Sequence, residues 1–242
     1  MANSQARDGR QSLSFILVPD KETPVSGTSG SLKIGDIVVI TGKAASESVF
    51  GDVAVNKFYI VNKALTLKEG DSCFKCTPHF LGQATGKTVS ASKNITDMTI
   101  DYDESTNNVT DGIVTKTGSI SGALITEDIE SVGGVNYVKN RFDDIIQIDA
   151  DGTSQVKEAD TTGKDILMII WNGRNAKAGD LLEIEIMPVL FSDLSTGGEY
   201  GSAQSFDVDF STCYTDDNNY TGARYQVANA EGLLPSIVRP AA

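Results

Sequence analysis

The sequence predicts a mainly β protein, a sandwich or barrel protomer with one flanking α-helix over about residues 127–148. Three observations lead there. Most of the chain alternates apolar and polar residues or runs in short β-branched blocks, the period of strands. Glycine is frequent, at 23 residues, as many turns between strands require. One segment breaks the pattern: from Thr126 to Ile148 the apolar residues Ile129, Val132, Val138, Phe142, Ile145 and Ile146 recur at threes and fours or their sums, one face of a helix. Because this helix sits between two strand groups, a single sandwich or barrel with the helix docked on it is the preferred architecture. Two subdomains split near Asp149 are the alternative.

Taken in order, residues 1–12 are polar and read as an N-terminal arm, followed by a β domain over 13–214 and a C-terminal arm over 215–242. Within the domain a first strand covers 13–18 and is closed by Pro19. The Gly-, Ser-, Thr- and Pro-rich stretch Glu22–Ser31 reads as a loop. The Gly35-Asp36 turn then feeds the β-branched run Ile37–Thr41. A second loop covers 43–56, and Lys57–Leu65, 72–81 and 87–101 read as strands. Asp103–Asp111 is a polar turn before the strand Ile113–Ile125, whose interior Gly118 and Gly122 point to a bulge, a sharp bend or a close approach of backbone. After the helix, Asp149–Gly163 is a polar turn region. Asp165–Trp171 is apolar on both faces, as a central strand would be. In Leu181–Phe191, Leu182, Ile184 and Ile186 alternate with Glu183 and Glu185. In Gln204–Tyr214, Phe206, Val208 and Phe210 alternate with Asp207 and Asp209. Each of these last two strands is expected to bury one face and wet an acidic one.

Charge and composition exclude several classes of function. The 33 acidic and 20 basic residues leave a formal charge of −13, which repels nucleic acid, since gripping phosphate needs Lys and Arg. The acids cluster at Asp101, Asp103 and Glu104, at Glu127, Asp128 and Glu130, at Asp143, Asp144, Asp149 and Asp151, and at Asp207 and Asp209. A solvated surface accounts for these clusters on patterning alone. The sharper reading is a surface past which DNA slides without sticking. The apolar run Phe15–Val18 is too short for a secretory signal core, and no stretch reaches the ~18 apolar residues of a membrane helix. Three cysteines, an odd count, point away from a disulfide framework and toward a reducing compartment.

The catalytic inventory is thin. The single histidine, His79, lies near Cys73 and Cys76, and with Cys213 these would make four zinc ligands. A second close ligand pair is missing, and in an extended strand Cys73 and Cys76 point to opposite faces, so ordinary strand cysteines are the expectation. Residues Gly82–Thr88 imitate a phosphate loop but place three residues between the glycines where four are needed, and lead into a strand. No G-x-S-x-G elbow is present. Paired carboxylates could serve a glycosidase, but one tryptophan and 7% aromatic residues offer little material for a sugar platform. The expectation is no catalysis, no metal and no cofactor. One face of Gly112–Ile125 carries only small side chains, Thr115, Thr117, Ser119, Ser121 and Ala123. It reads as a solvent-facing or edge strand, or as a smooth channel wall or inter-subunit sheet.

The order of parts over about residues 30–215 resembles the tail tube proteins of long-tailed bacteriophages. The residues that carry the resemblance are the turn and strand Ser31–Thr41, the run T-K-T-G-S-I-S-G-A-L-I at Thr115–Ile125, the single following helix, and the acidic strands 181–191 and 204–214. The stretch 215–242 has no counterpart in that pattern. The resemblance implies protomers that form rings, usually hexameric, with a continuous inner β-barrel, stacked into a hollow tube that conducts DNA at ejection. It implies a virion location, synthesis in the host cytoplasm, and tail terminator, tape-measure and baseplate proteins as partners, with no membrane insertion. An acidic lumen lets DNA slide, and strand alternation offers Asp97, Asp101, Glu183, Glu185, Asp207 and Asp209 for it. Loops 19–31 and 43–56 would make ring-to-ring contacts. The alternatives are another phage structural protein, for head decoration or baseplate, and a carbohydrate-binding or adhesive β domain.

Overall fold

The computed structural model describes residues 12–28, 30–81, 86–99, 106–124, 146–148, 154–156, 165–197, 205–212 and 223–238. It is mainly β, as the alternation requires, and its main sheet is a curled half-barrel. The strands are β1 (Leu13–Pro19), β2 (Val25–Ser26), β3 (Ser31–Leu32), β4 (Ile37–Gly42), β5 (Phe58–Ile60), β6 (Leu65–Thr66), β7 (Ser72–Phe80), β8 (Gly86–Thr99), β9 (Thr106–Leu124), β10 (Ile146–Ile148), β11 (Ser154–Val156), β12 (Asp165–Ile170), β13 (Leu181–Gly197), β14 (Ser205–Thr212) and β15 (Ala223–Ala228). One short helix, α1, covers Leu233–Val238.

The main sheet runs β5-β4-β7-β1-β12-β13-β14-β9-β8, with β2 joined to β7 and β15 to β13. Its pairings are antiparallel. β12 is buried at every residue, so the sheet's centre is covered on both faces. One face packs Phe15, Met168, Ile170, Ile184 and Ile186 against Leu233, Leu234 and Ile237 of α1. The other gathers Ile16 of β1, Leu167 and Ile169 of β12, Met187 and Val189 of β13, Val208 and Phe210 of β14 and Ile120 of β9 into one cluster. Side chains from β1 and β9, four places apart in the sheet, meet there because the sheet curls around them. The curl is closed near its seam by Lys87, whose buried Nζ donates to the Ser12 carbonyl at 2.8 Å. A third cluster beneath β4 and β7 is roofed by the 43–56 loop through Phe50.

That loop is organised by one carboxylate. Asp71, 1% exposed, accepts from the Ala44 N–H (2.9 Å), the Ser48 hydroxyl (2.6 Å), and the Val49 and Lys68 N–H groups (3.2 Å each). Burial pushes its carboxyl up, and the four donors together outweigh that and hold it below the usual range.

Several expectations are corrected. The C-terminal stretch 215–242 is not simply an arm: β15 pairs along β13, Leu181↔Ala228 to Ile186↔Ala223, and α1 seals the core. The polar turn expected over Asp103–Asp111 gives way to β9 from Thr106, because pairing with β8 overrides the low strand propensity of its Asn and Asp residues. The flanking helix, with Ile129, Val132, Val138, Phe142 and Ile145, lies outside the described residues. Its expected last turn does not form: Ile146 is in β10 and pairs with Val156 of β11. Ile146 and Ile148 stand either side of Gln147 and so also satisfy strand alternation.

Candidate functional site

The convex face of β8, β9 and β14, continued onto β13, forms a wall of short side chains. Register places Thr88, Ser119, Asp209 and Ser192 in one row across four strands, and Ser90, Thr117, Ser211 and Leu190 in the next. The Thr88 and Ser119 hydroxyls lie 2.9 Å apart. Together with Gly118 and Phe210 the hydroxyls and Asp209 line an open groove of about 370 Å³. Asp207 and Asp209 are exposed, and neither row contains a cation. The small-residue face read from the sequence is therefore one strand of a broader hydroxyl surface.

The wall is kept smooth by its backing. Val208 and Phe210 alternate with the two aspartates and bury inward. Phe210 lies over Gly118, its direct partner, and Phe191 meets it edge-on at 6.4 Å between centroids. A Cβ at Gly118 would stand 2.1 Å from the Thr88 carbonyl oxygen and 2.5 Å from the Phe210 ring, so only glycine fits. Gly122 lies in the register shift between Phe206 and Val208, the bulge expected of an interior glycine. A second shift between Ser192 and Ser195 sits across from it, so Asp207 stands between two bulges.

The acidic residues proposed from alternation divide. Asp207 and Asp209 lie exposed on and beside the wall. Glu183 and Glu185 share a face as expected, but it is the inner one: Glu183 is half-buried and Glu185 is 5% exposed. The curl of the sheet turns that face inward, and Lys116 of β9 pairs with the Glu185 carboxylate there. The Glu185 carboxylate also accepts from the Trp171 indole N–H at 3.1 Å. Asp97 lies in β8 opposite Asn108, and Asp101 falls outside the described residues. No sequence signal points to the Lys116–Glu185–Trp171 cluster, whose members come from three separate strands or strand ends.

The zinc candidates do not converge. Cys73 and Cys76 are buried in different clusters on opposite faces of β7, with thiols pushed up by burial, Cys73 to about 11. His79 is half-buried, its imidazole pushed down by burial, and Cys213 falls outside the described residues. Among the described residues no group of three His, Cys, Asp or Glu side chains could hold a metal ion. No helix among them is long and apolar enough to cross a membrane.

No protein-family pattern and no curated protein matches the chain. Among solved structures it is similar to a chain in the tail of an empty gene transfer agent particle refined with C6 symmetry. That likeness has 10% identity and a TM-score of 0.37, over 62% of this chain and 87% of the other. It is also similar to a chain in the virion of a native gene transfer agent particle, at 10% identity and a TM-score of 0.36, over 62% of this chain and 89% of the other.

Proposed function

We propose that this chain is the building block of a phage tail tube: a virion structural protein, without catalytic activity, whose rings stack into a conduit for DNA. The observation that carries this reading is the wall of β8, β9 and β14. It presents two rows of short hydroxyls and exposed carboxylates, backed by a packed apolar layer. Hydroxyls that already pair with one another, as Thr88 does with Ser119, offer few long flexible donors to phosphate. Asp207 and Asp209 repel phosphate, so a polyanion passing over the wall is wetted without being held. Side by side in a ring, such walls make a continuous lining, and joining sheets edge to edge removes the open edges of each copy. Six copies per ring, and terminator, tape-measure and baseplate proteins as partners, belong to the same proposal.

Negative-stain electron microscopy across a concentration series tests it. Hollow tubes or rings of uniform diameter are the expected result. Soluble monomers that bind glycans through the hydroxyl groove would replace this reading with an adhesive one.

A further inference from the structure

Lys87 is a buried cation with no carboxylate against it among the described residues. It is 8% exposed, and its Nζ donates at 2.8 Å to the Ser12 carbonyl, a neutral acceptor. An ammonium carries three donors, so one such bond leaves it under-satisfied. Alternation fixes where it points. Thr88 and Ser90 line the outer groove, while Val89 packs into the inner cluster, and Lys87 shares that inner face. Its partner across the ladder is Ile120 of the same cluster. A charge against an apolar layer is costly until it is neutralised or paired. The neighbouring charge has the wrong sign: burial, then the Arg174 guanidinium, push the amine down to about 7.

A second donor without an acceptor lies beside it. Ser14 is 0% exposed, and its Oγ has no hydrogen-bond partner among the described residues. It follows Ser12 by two residues, so the two serines share a face and are offset by roughly 6.6 Å along the chain. That face is the one Ile16 buries in the inner cluster, toward which Lys87 points. The connection explains the meeting. The chain leaves β7 at Leu81, whose N–H donates to the Ser14 carbonyl at 2.9 Å, and returns as β8 at Gly86, one residue before the lysine. The turn Gly173–Asn175 brings Arg174 to the same end. A Cβ at Gly173 would stand 2.9 Å from Leu13 Cδ1, so this turn lies against the residue between the two serines. Arg174 itself is exposed.

We propose that Lys87 and Ser14 form a binding site for one small oxyanion, of the class of inorganic sulfate or phosphate, with Arg174 at its entrance. A water could accept from both donors, but only an anion also balances the buried charge. Its several acceptor oxygens suit donors that arrive from two different strands. The ligand is a free ion and not the backbone of a nucleic acid, because an amine 8% exposed is out of reach of a duplex. The site belongs to the single chain and is independent of the tube reading.

Equilibrium dialysis of the full chain with radiolabelled sulfate, at constant ionic strength, tests the proposal. One sulfate per chain is expected to bind saturably, displaced by inorganic phosphate and not by a DNA duplex at equal phosphate concentration. Lys87→Met should weaken binding at least about tenfold, as loss of a charged hydrogen bond does, and Ser14→Ala about threefold or more. Lys68→Met, which removes an exposed cation paired with Glu47, should leave the affinity unchanged. Without sulfate, Ser14→Ala should keep or raise the urea midpoint, since it removes a buried hydroxyl that has no partner. An intact urea transition shows that each variant folds. If Lys87→Met loses it, Ser14→Ala decides alone. Absence of saturable sulfate binding overturns the proposal, as does equal weakening by Lys68→Met. So does a folded Lys87→Met or Ser14→Ala that binds as the wild type does. A duplex that competes as well as phosphate, or a lowered midpoint for Ser14→Ala without sulfate, overturns it too.

Discussion

Replacing Gly118 by alanine tests the packing that keeps the wall smooth. The new Cβ would lie 2.1 Å from the Thr88 carbonyl oxygen and 2.5 Å from Phe210 Cζ, where ordinary contact needs well over 3 Å. The ring can turn aside, but the oxygen belongs to the β8–β9 ladder and cannot retreat without lengthening it. Overpacking of this kind costs about 1–3 kcal/mol, and a backbone neighbour places it toward the upper end. Reduced freedom of the unfolded chain returns about 0.4–1 kcal/mol, leaving a net loss of about 2 kcal/mol. With a urea slope of roughly 2–3 kcal/mol per M for a chain of this size, the midpoint should fall by about 0.7–1 M. Gly86, at the start of the neighbouring strand β8, has open space where its Cβ would go and no left-handed backbone. Gly86→Ala should therefore move the midpoint by no more than about 0.2 M. If Gly118→Ala leaves the midpoint in place or raises it, Phe210 does not lie on that glycine and the strand spacing argued for the wall is wrong.

Other residues make separate predictions. Asp71→Ala leaves the Ala44, Val49 and Lys68 N–H groups without their acceptor. It should cost about 2–5 kcal/mol in urea unfolding, with proteolytic nicking appearing first between residues 43 and 56. Because folding lowers the Asp71 pKa, its contribution is complete above about pH 4 and is lost as pH falls below that, which an acid titration of stability would show. Burial, then the Arg174 charge, push the Lys87 amine down to about 7. The unfolded chain therefore binds the extra proton between about pH 7 and 10, and stability rises across that window. Lys87→Met should flatten the rise, and a slope unchanged by the substitution would place Lys87 in solvent. Cys73 and Cys76 should resist a thiol reagent at pH 8 until urea unfolds the chain, and labelling of either in the native protein, mapped by mass spectrometry, would contradict their burial.

The sequence by itself determined which residues share a face. Period-two alternation paired Asp207 with Asp209 against Val208 and Phe210, put Cys73 and Cys76 on opposite sides of one strand, and marked β12 as buried throughout. Interior glycines pointed to a bulge, a bend or a close approach, and the structure puts the close approach at Gly118 and the bulge at Gly122. Only the tertiary structure decided what each face meets. Glu183 and Glu185 alternate as regularly as Asp207 and Asp209, yet the curl of the sheet turns the first pair inward toward Lys116 and leaves the second in water. It also drew β15 and α1 into the body, and let β8 and β9 run on past the end of β14. The physical reason is one of range. Side-chain direction along a strand is set by the backbone's own two-residue repeat, which neighbouring residues record. Strand order, curl and register depend on contacts between residues far apart in the chain, and no local period encodes those.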